Sequence, residues 1–200
     1  MEDAQIIQIN VLEDVIQSHW VCADIGACKG EILSFLSEKS AFCYAFEPDD
    51  SNFKYLTKTF KDKNVELNDS VVSDVDGHVD FYKGRSHVGN ILGHDMSYNK
   101  MHNPQSKNSI TLDTFFENKQ VDFIKLDVEG AEWRVFEGAK KILKERNIIW
   151  QVEFHLCEDW NKRDILFDSG YSIFHIIEKN EIKKIDKTHQ RVYQALLKKE

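Results

Sequence analysis

The sequence predicts an α/β fold in which a mainly parallel sheet carries helices on both faces. Three observations carry this. Short apolar runs alternate with segments of helical period. The runs are nearly unbroken, as in strands buried on both sides. Glycines and acids gather where they end, at the strand termini where such folds bind ligands.

In residues 5–18, Ile9, Leu12, Val15 and Ile16 recur at helical spacing, which predicts an amphipathic helix within an N-terminal region of residues 1–19. Residues 20–24 form a short buried strand that enters a glycine turn, and residues 31–38 form a helix. Residues 41–46 are a second strand, ending at Glu47 and Pro48. Residues 50–60 are a helix with Asp50 or Ser51 as N-cap. Residues 65–72 are a third strand, and 78–82, bounded by Gly77, an added hairpin strand. Residues 84–108 show no period, and a loop of that length is expected to cover substrate or to be disordered. Residues 109–112 are a short strand, 114–118 a helical turn, 121–126 a strand and 131–144 one helix. A strand at 148–154 precedes a helix at 159–169 closed by Gly170 at C′. Residues 171–177 and a segment ending at Leu197 are the last strands.

With 200 residues, no linker and 42% hydrophobic content, a single domain over 1–200 is expected, with enough apolar mass for its own core. A net charge of −8 opposes generic binding to nucleic-acid phosphate or anionic membrane, so neither partner is expected. Cys22, Cys28, Cys43 and Cys157 have no zinc-like spacing. No leader pattern or apolar run of about 20 residues is present, and a cytoplasmic setting is expected. Oligomeric state is not readable.

Three motifs carry chemistry. Asp24-Ile25-Gly26-Ala27-Cys28-Lys29-Gly30 follows the first strand. It matches neither GxxxxGK[ST] nor GxGxxG, and its spacing with an acid in front suits a ligand bearing both a carboxylate and an ammonium. An ordinary strand-to-helix turn is the alternative. Glu47 lies 23 residues after Asp24, where a Rossmann-type site places its ribose-binding acid; a helix-capping acid is the alternative. The segment from Val121 to Glu132 ends a buried strand in Asp127 and Glu129 and opens a helix with Glu132. Helix electrostatics account for Glu132 and leave Asp127 unexplained.

The chain resembles the FkbM family of S-adenosylmethionine-dependent methyltransferases. The resemblance rests on DIGACKG (24–30), FEPDDSNF (46–53), SITLDTFF (109–116), VDFIKLDVEGAEWRVFEGA (121–139) and QVEFH (151–155). It departs at Cys28, where the family commonly has Asn, and at Asp50, often Pro. The resemblance implies a class I, Rossmann-like fold with a mainly parallel seven-stranded sheet, plus the hairpin strand near 78–82. It also implies S-adenosyl-L-methionine as cofactor. Asp24, Gly26 and Gly30 would surround its methionine moiety, with Ala27, Pro48 and Asp127 in the same binding set. Glu47 would hold the ribose, and Asn68, Ser70 and Val71 would lie near the adenine.

Methyl transfer needs a held acceptor and, for a hydroxyl, a proton acceptor. Candidates at strand ends are Asp127, Glu129, Glu153 and His155. Glu153 and His155 share a strand face, so Glu153 could orient His155 as a base near neutral pH. A core or capping histidine is the alternative. His87, His94 and His102, with Asn90 and Asp95, sit in the 84–108 loop at spacings that match no zinc motif, so no metal is expected there. A magnesium or manganese ion on Asp127, Glu129, Glu153 or His155 is the weaker alternative. The resemblance implies O-methylation, so the expected acceptor is a hydroxyl on a sugar, glycan or small metabolite. The alternatives are an NAD-dependent oxidoreductase, which the missing GxGxxG opposes, and a non-catalytic scaffold, which the retained motifs oppose.

Overall fold

The computed structural model describes residues 9–83, 89–93, 103–155, 158–178, 181–185 and 193–199. The chain runs through β1 (Val21–Ile25), α1 (Glu31–Lys39), β2 (Phe42–Phe46), α2 (Asp50–Thr59) and β3 (Val65–Asn68). It continues through β4 (Val71–Val72), β5 (Gly77–Lys83), β6 (Gly89–Asn90), β7 (Gln105–Ile110), α3 (Leu112–Phe115) and β8 (Phe123–Leu126). Then follow α4 (Glu132–Glu137), α5 (Lys140–Glu145), β9 (Ile149–Glu153), a 3₁₀ stretch (Glu158–Arg163) and α6 (Asp164–Asp168). The chain closes with β10 (Tyr171–Glu178), β11 (Glu181–Ile185) and β12 (Gln194–Lys199).

Among the described residues the main sheet has eight strands in the order β11-β10-β12-β9-β8-β1-β2-β3, not the expected seven. β3, β2, β1, β8 and β9 are mutually parallel, whereas β12, β10 and β11 pair antiparallel in turn. The extra strand is β11, which folds back on β10 and puts exposed Lys183 and Lys184 at the sheet edge. Charged edges of this kind discourage pairing with another chain.

Alternation along the strands fills both faces. Ala23 and Ile25 of β1, with Ile124 and Leu126 of β8, pack with Trp133, Val135, Phe136, Ile142 and Leu143 of α4 and α5. Cys22 and Phe123 point the other way, into Ile32, Leu33 and Leu36 of α1, Leu56 of α2 and Leu12. Helices on both faces, as the sequence predicted, follow from strands that are apolar on both sides.

Several boundaries differ from expectation, each for a local reason. The expected strand 65–72 breaks in two because Asn68 Oδ1 accepts from the Ser70 backbone N–H at 2.9 Å. That Asx turn swings β4 into a second sheet, ordered β4-β7-β5-β6. β5, the expected hairpin strand, pairs antiparallel with β7 there. The sequence hid β7: its residues, Gln-Ser-Lys-Asn-Ser-Ile, bury Ser109 and show no apolar alternation. It ends at Ile110, two residues earlier than read, because Thr111 caps α3 by accepting from the Thr114 N–H. The expected helix 131–144 divides into α4 and α5. The Asp113 carboxylate accepts from the N–H groups of Lys141 and Ile142, both at 2.9 Å, and so starts α5 afresh. The expected helix 159–169 opens as 3₁₀ before α6, and Gly170 follows at φ 87° as predicted. Asp49, not Asp50 or Ser51, is the N-cap of α2, accepting from the Ser51 and Asn52 N–H groups. Of the expected N-terminal helix, residues 9–13 are helical and 5–8 lie outside the described residues.

Candidate active site

The parallel register lines up Asp24 of β1, Lys125 of β8 and Gln151 of β9 in one row, on the face opposite Ile25 and Leu126. All three are buried, at 1%, 6% and 2% exposure. A lysine is seldom so buried unless paired. Lys125 Nζ lies 3.4 Å from Asp24 Oδ1 and 3.3 Å from Asp127 Oδ2, and donates to the Gly26 carbonyl at 3.2 Å. Burial opposes its charge, but the two carboxylates outweigh that and hold its pKa above the ordinary value. Burial raises the pKa of Asp24, against the pull of Lys125. Apart from that ion pair, neither Asp24 oxygen has a hydrogen-bond donor.

The glycine turn locks β1 to its neighbours. The N–H groups of Gly26 and Ala27 both donate to the Phe46 carbonyl at 3.0 Å. Gly26 has φ +83°, and a Cβ there would sit 1.9 Å from the Asp127 carbonyl oxygen. What requires glycine is therefore the end of β8, in addition to the turn. Cys28 takes φ 50°, a left-handed backbone that Asn tolerates better than most residues. Cys28, Cys22 and Cys43 are free thiols.

Glu47 follows β2 and faces that turn. Its Oε2 accepts from the Cys28 N–H at 2.7 Å and its Oε1 from the Asp49 N–H at 2.9 Å. Burial outweighs these bonds and pushes its pKa up to about 7. Asp49 goes the other way. Against the cost of burial, Lys83 and Ser51 hold its carboxyl down to about 2.

At the other end, four carboxylates surround one imidazole. His155 Nδ1–H donates to Glu132 Oε1 at 2.9 Å, and that oxygen also accepts from the Gly130 N–H. His155 Nε2 lies 3.5 Å from Glu153 Oε1, 3.6 Å from Asp127 Oδ1 and 3.8 Å from Glu129 Oε2. Desolvation works against a charged ring, yet Glu132, Glu153 and Asp127 together push its pKa up to about 11. The carboxylates around it favour the protonated ring, which weighs against His155 as a base near neutral pH. Hydrogen bonds from His155 and Tyr193 hold Glu153 below its usual value despite burial. Burial raises Glu129, with His155 opposing. Glu129 also takes φ 54°. For a residue other than Gly this is an uncommon conformation, of the kind that clusters at functional sites.

A single cleft of about 660 Å³ joins the two ends, within the size range of small-ligand sites. Asp24, Gly26, Ala27, Glu47, Pro48, Ser70 and Val71 line it, as do Asp127, Glu129 and Glu153. Gly30, Asn68 and His155 are not on its wall. Gly30 is packed from the other side, where a Cβ would meet Leu56 and Phe60. Asn68 makes the Asx turn, and His155 stands behind the carboxylates at 5% exposure.

Sequence reasoning missed Lys125, Glu132 and Tyr193. The signal for Lys125 was in plain view: one lysine inside the apolar run Phe123–Leu126. Glu132 was assigned to helix electrostatics, and Tyr193, whose ring centroid is 5.8 Å from that of His155, stood in unpatterned sequence. The predicted covering loop contributes Gly89, Asn90 and Ile91 to the cleft, beside Phe81. His87, His94, Asp95 and His102 lie outside the described residues.

Known proteins place this architecture. The crystal structure of methyltransferase FkbM from Methylobacillus flagellatus is similar, with TM-score 0.58 and 16% identity over 90% of this chain. This chain spans only 43% of that protein. An rRNA methylase from Streptococcus thermophilus has TM-score 0.55 and 12% identity, over 96% of this chain and 94% of that one. A methyltransferase from Streptococcus mutans in complex with S-adenosylhomocysteine has TM-score 0.54 and 10% identity, over 97% and 96%. No curated protein matches the sequence. No helix among the described residues is long and apolar enough to cross a membrane. The fold is that of the class I, S-adenosylmethionine-dependent methyltransferases. The model of the methyltransferase FkbM domain matches residues 24–198, and the chain belongs to that family.

Proposed function

We propose that this chain transfers a methyl group from S-adenosylmethionine to a hydroxyl oxygen of a sugar or other small metabolite. One observation carries the reading: a single cleft joins a donor-type lining, Asp24, Gly26 and Glu47, to three carboxylates at its other end.

The residues fit the cofactor. Asp24 offers two buried oxygens that lack a hydrogen-bond donor, which an ammonium would satisfy. Glu47 is fixed by two backbone N–H groups and keeps lone pairs for the two hydroxyls of a ribose. When bound, S-adenosylmethionine supplies an electrophilic methyl group on a sulfonium. The chain then has to orient the acceptor, exclude water and take one proton. Glu129 is our choice of proton acceptor. It lines the cleft, and burial holds its pKa above that of an ordinary glutamate, closer to the working pH of a base. Asp127 and Glu153 orient the acceptor. Phe81 and Ile91 supply apolar wall against solvent.

The acidic chain and a cleft of this size favour a small acceptor over nucleic acid. The test is a methyl-donor assay on a panel of glycans, metabolites and short RNAs, with product mass read directly. Methylated hydroxyls on a small molecule are expected. Product only on RNA, or only on nitrogen, sinks the reading.

A further inference from the structure

We propose that Asp127, Glu153 and His155 form a site for a first-row divalent cation, with Glu132 fixing the imidazole from behind. Its catalytic use rests on the methyl-transfer reading above; its binding does not.

The geometry comes first. One donor atom from each of the three residues lies within 4.8 Å of the other two. An ion holding ligands at about 2.1 Å puts adjacent ones about 3.0 Å apart and opposite ones about 4.2 Å apart. His155 Nε2 stands 3.5 Å from Glu153 Oε1 and 3.6 Å from Asp127 Oδ1, so side-chain shifts of about half an ångström would seat an ion.

Two further observations point to a ligand. Asp127 Oδ1, the oxygen that faces His155, is buried and has no hydrogen-bond partner, while Oδ2 takes the Lys125 contact. The nearest cationic group to Oδ1 is the His155 ring at 3.6 Å, beyond hydrogen-bond distance, and a cation at the centre of the group would give it a closer partner. The imidazole is also turned to coordinate. Glu132, at 1% exposure, accepts from Nδ1–H, so a cation would take the place of the proton on Nε2, the atom that faces the other carboxylates. A carboxylate behind a histidine in this way is the usual outer support of a metal ligand.

The mixed set selects the ion. Carboxylates alone suit magnesium or calcium, and an imidazole shifts preference toward manganese, iron or zinc. Asp127 and Glu153 line the cleft while His155 stands behind them, so the remaining coordination positions open toward the acceptor. There the ion would bind the acceptor hydroxyl oxygen and make its proton more acidic. The O–H proton passes to the Glu129 carboxylate. The oxygen lone pair forms the new bond to the methyl carbon, and the carbon–sulfur bond breaks with its pair left on sulfur. The positive charge of the sulfonium leaves as that one proton, and no oxidant or reductant is needed.

The experiment titrates manganese(II) into the full chain and follows free ion by electron paramagnetic resonance. One saturable ion per chain is expected. Glu153→Gln and His155→Gln should each weaken it by roughly tenfold or more, with S-adenosylmethionine affinity kept within about twofold as evidence of an intact fold. If His155→Gln does not fold, Glu153→Gln decides alone. No saturable manganese in a chain that binds S-adenosylmethionine overturns the proposal, and so does binding that both variants leave unchanged. Manganese bound at these residues without methyl transfer to any acceptor would sink the functional reading and leave the site standing.

Discussion

At the donor end of the cleft, the backbone of the Gly26–Cys28 turn is held by the Phe46 carbonyl and the Glu47 carboxylate, at the ends of two adjacent parallel strands. At the acceptor end, Asp127, Glu129, Glu153 and His155 converge through side chains from the ends of two other strands. The first arrangement is set by where the chain can go. The second is set by which charges can be buried together. Damage at the donor end should therefore register as lost folding or lost cofactor binding, and damage at the acceptor end as lost chemistry.

The sharpest way to break this division is Gly26→Ala. The new Cβ would overlap the Asp127 carbonyl oxygen at 1.9 Å, and backbone cannot give way as a side-chain tip does. We expect a loss of about 4 kcal/mol or no folded protein, read by urea denaturation. A loss below about 1 kcal/mol would mean that β1 and β8 are not locked there.

Glu129→Gln tests the other end. It keeps the shape and removes the proton acceptor. A drop in kcat of roughly a hundredfold, about 2.7 kcal/mol, is expected. Donor affinity measured by calorimetry should stay within about twofold. If affinity falls along with kcat, the two ends are coupled and the division is wrong.

Glu47 gives the donor end a pH signature. Burial raises its folded pKa to about 7. Ribose hydroxyls donate to the ionised form, so binding must expel a proton below that value. From pH 8 to pH 6 donor affinity should weaken by about tenfold. Stability carries the opposite sign. The folded chain holds more protons than the unfolded one between about pH 4.5 and 7, so Glu47 costs stability as pH rises through that window. A flat affinity profile would place the ribose elsewhere.

The sequence made the two ends unequally legible, for the same reason that they differ physically. Asp24, Gly26 and Glu47 fall on consecutive strand–turn units, where local pattern and a fixed spacing locate them. The core strands were equally plain, because burial on both faces forces continuous apolar runs such as Phe123–Leu126. The role of His155 was not legible. Its protonation depends on Glu132, 23 residues away, and Asp127, 28 away, and such contacts exist only once the sheet has formed. Strand β7 and the break between α4 and α5 were hidden likewise. One is a polar strand recruited by β5, and the other is set by the carboxylate of Asp113, distant in sequence.

The smallest effect isolates what the largest one measures. Gly170 takes φ 87°, within a few degrees of the 83° of Gly26, but a Cβ there meets nothing within 4 Å. Gly170→Ala therefore carries the conformational cost of a left-handed alanine and no overlap. That cost is about 1 kcal/mol, partly offset because alanine restricts the unfolded chain. The difference between the two variants in the same urea series is then the steric contact between the glycine turn and β8 alone, about 3 kcal/mol on these figures. Equal losses at both positions would mean that Gly26 is glycine only for its backbone angle, and that the donor end owes nothing to the strand carrying Asp127.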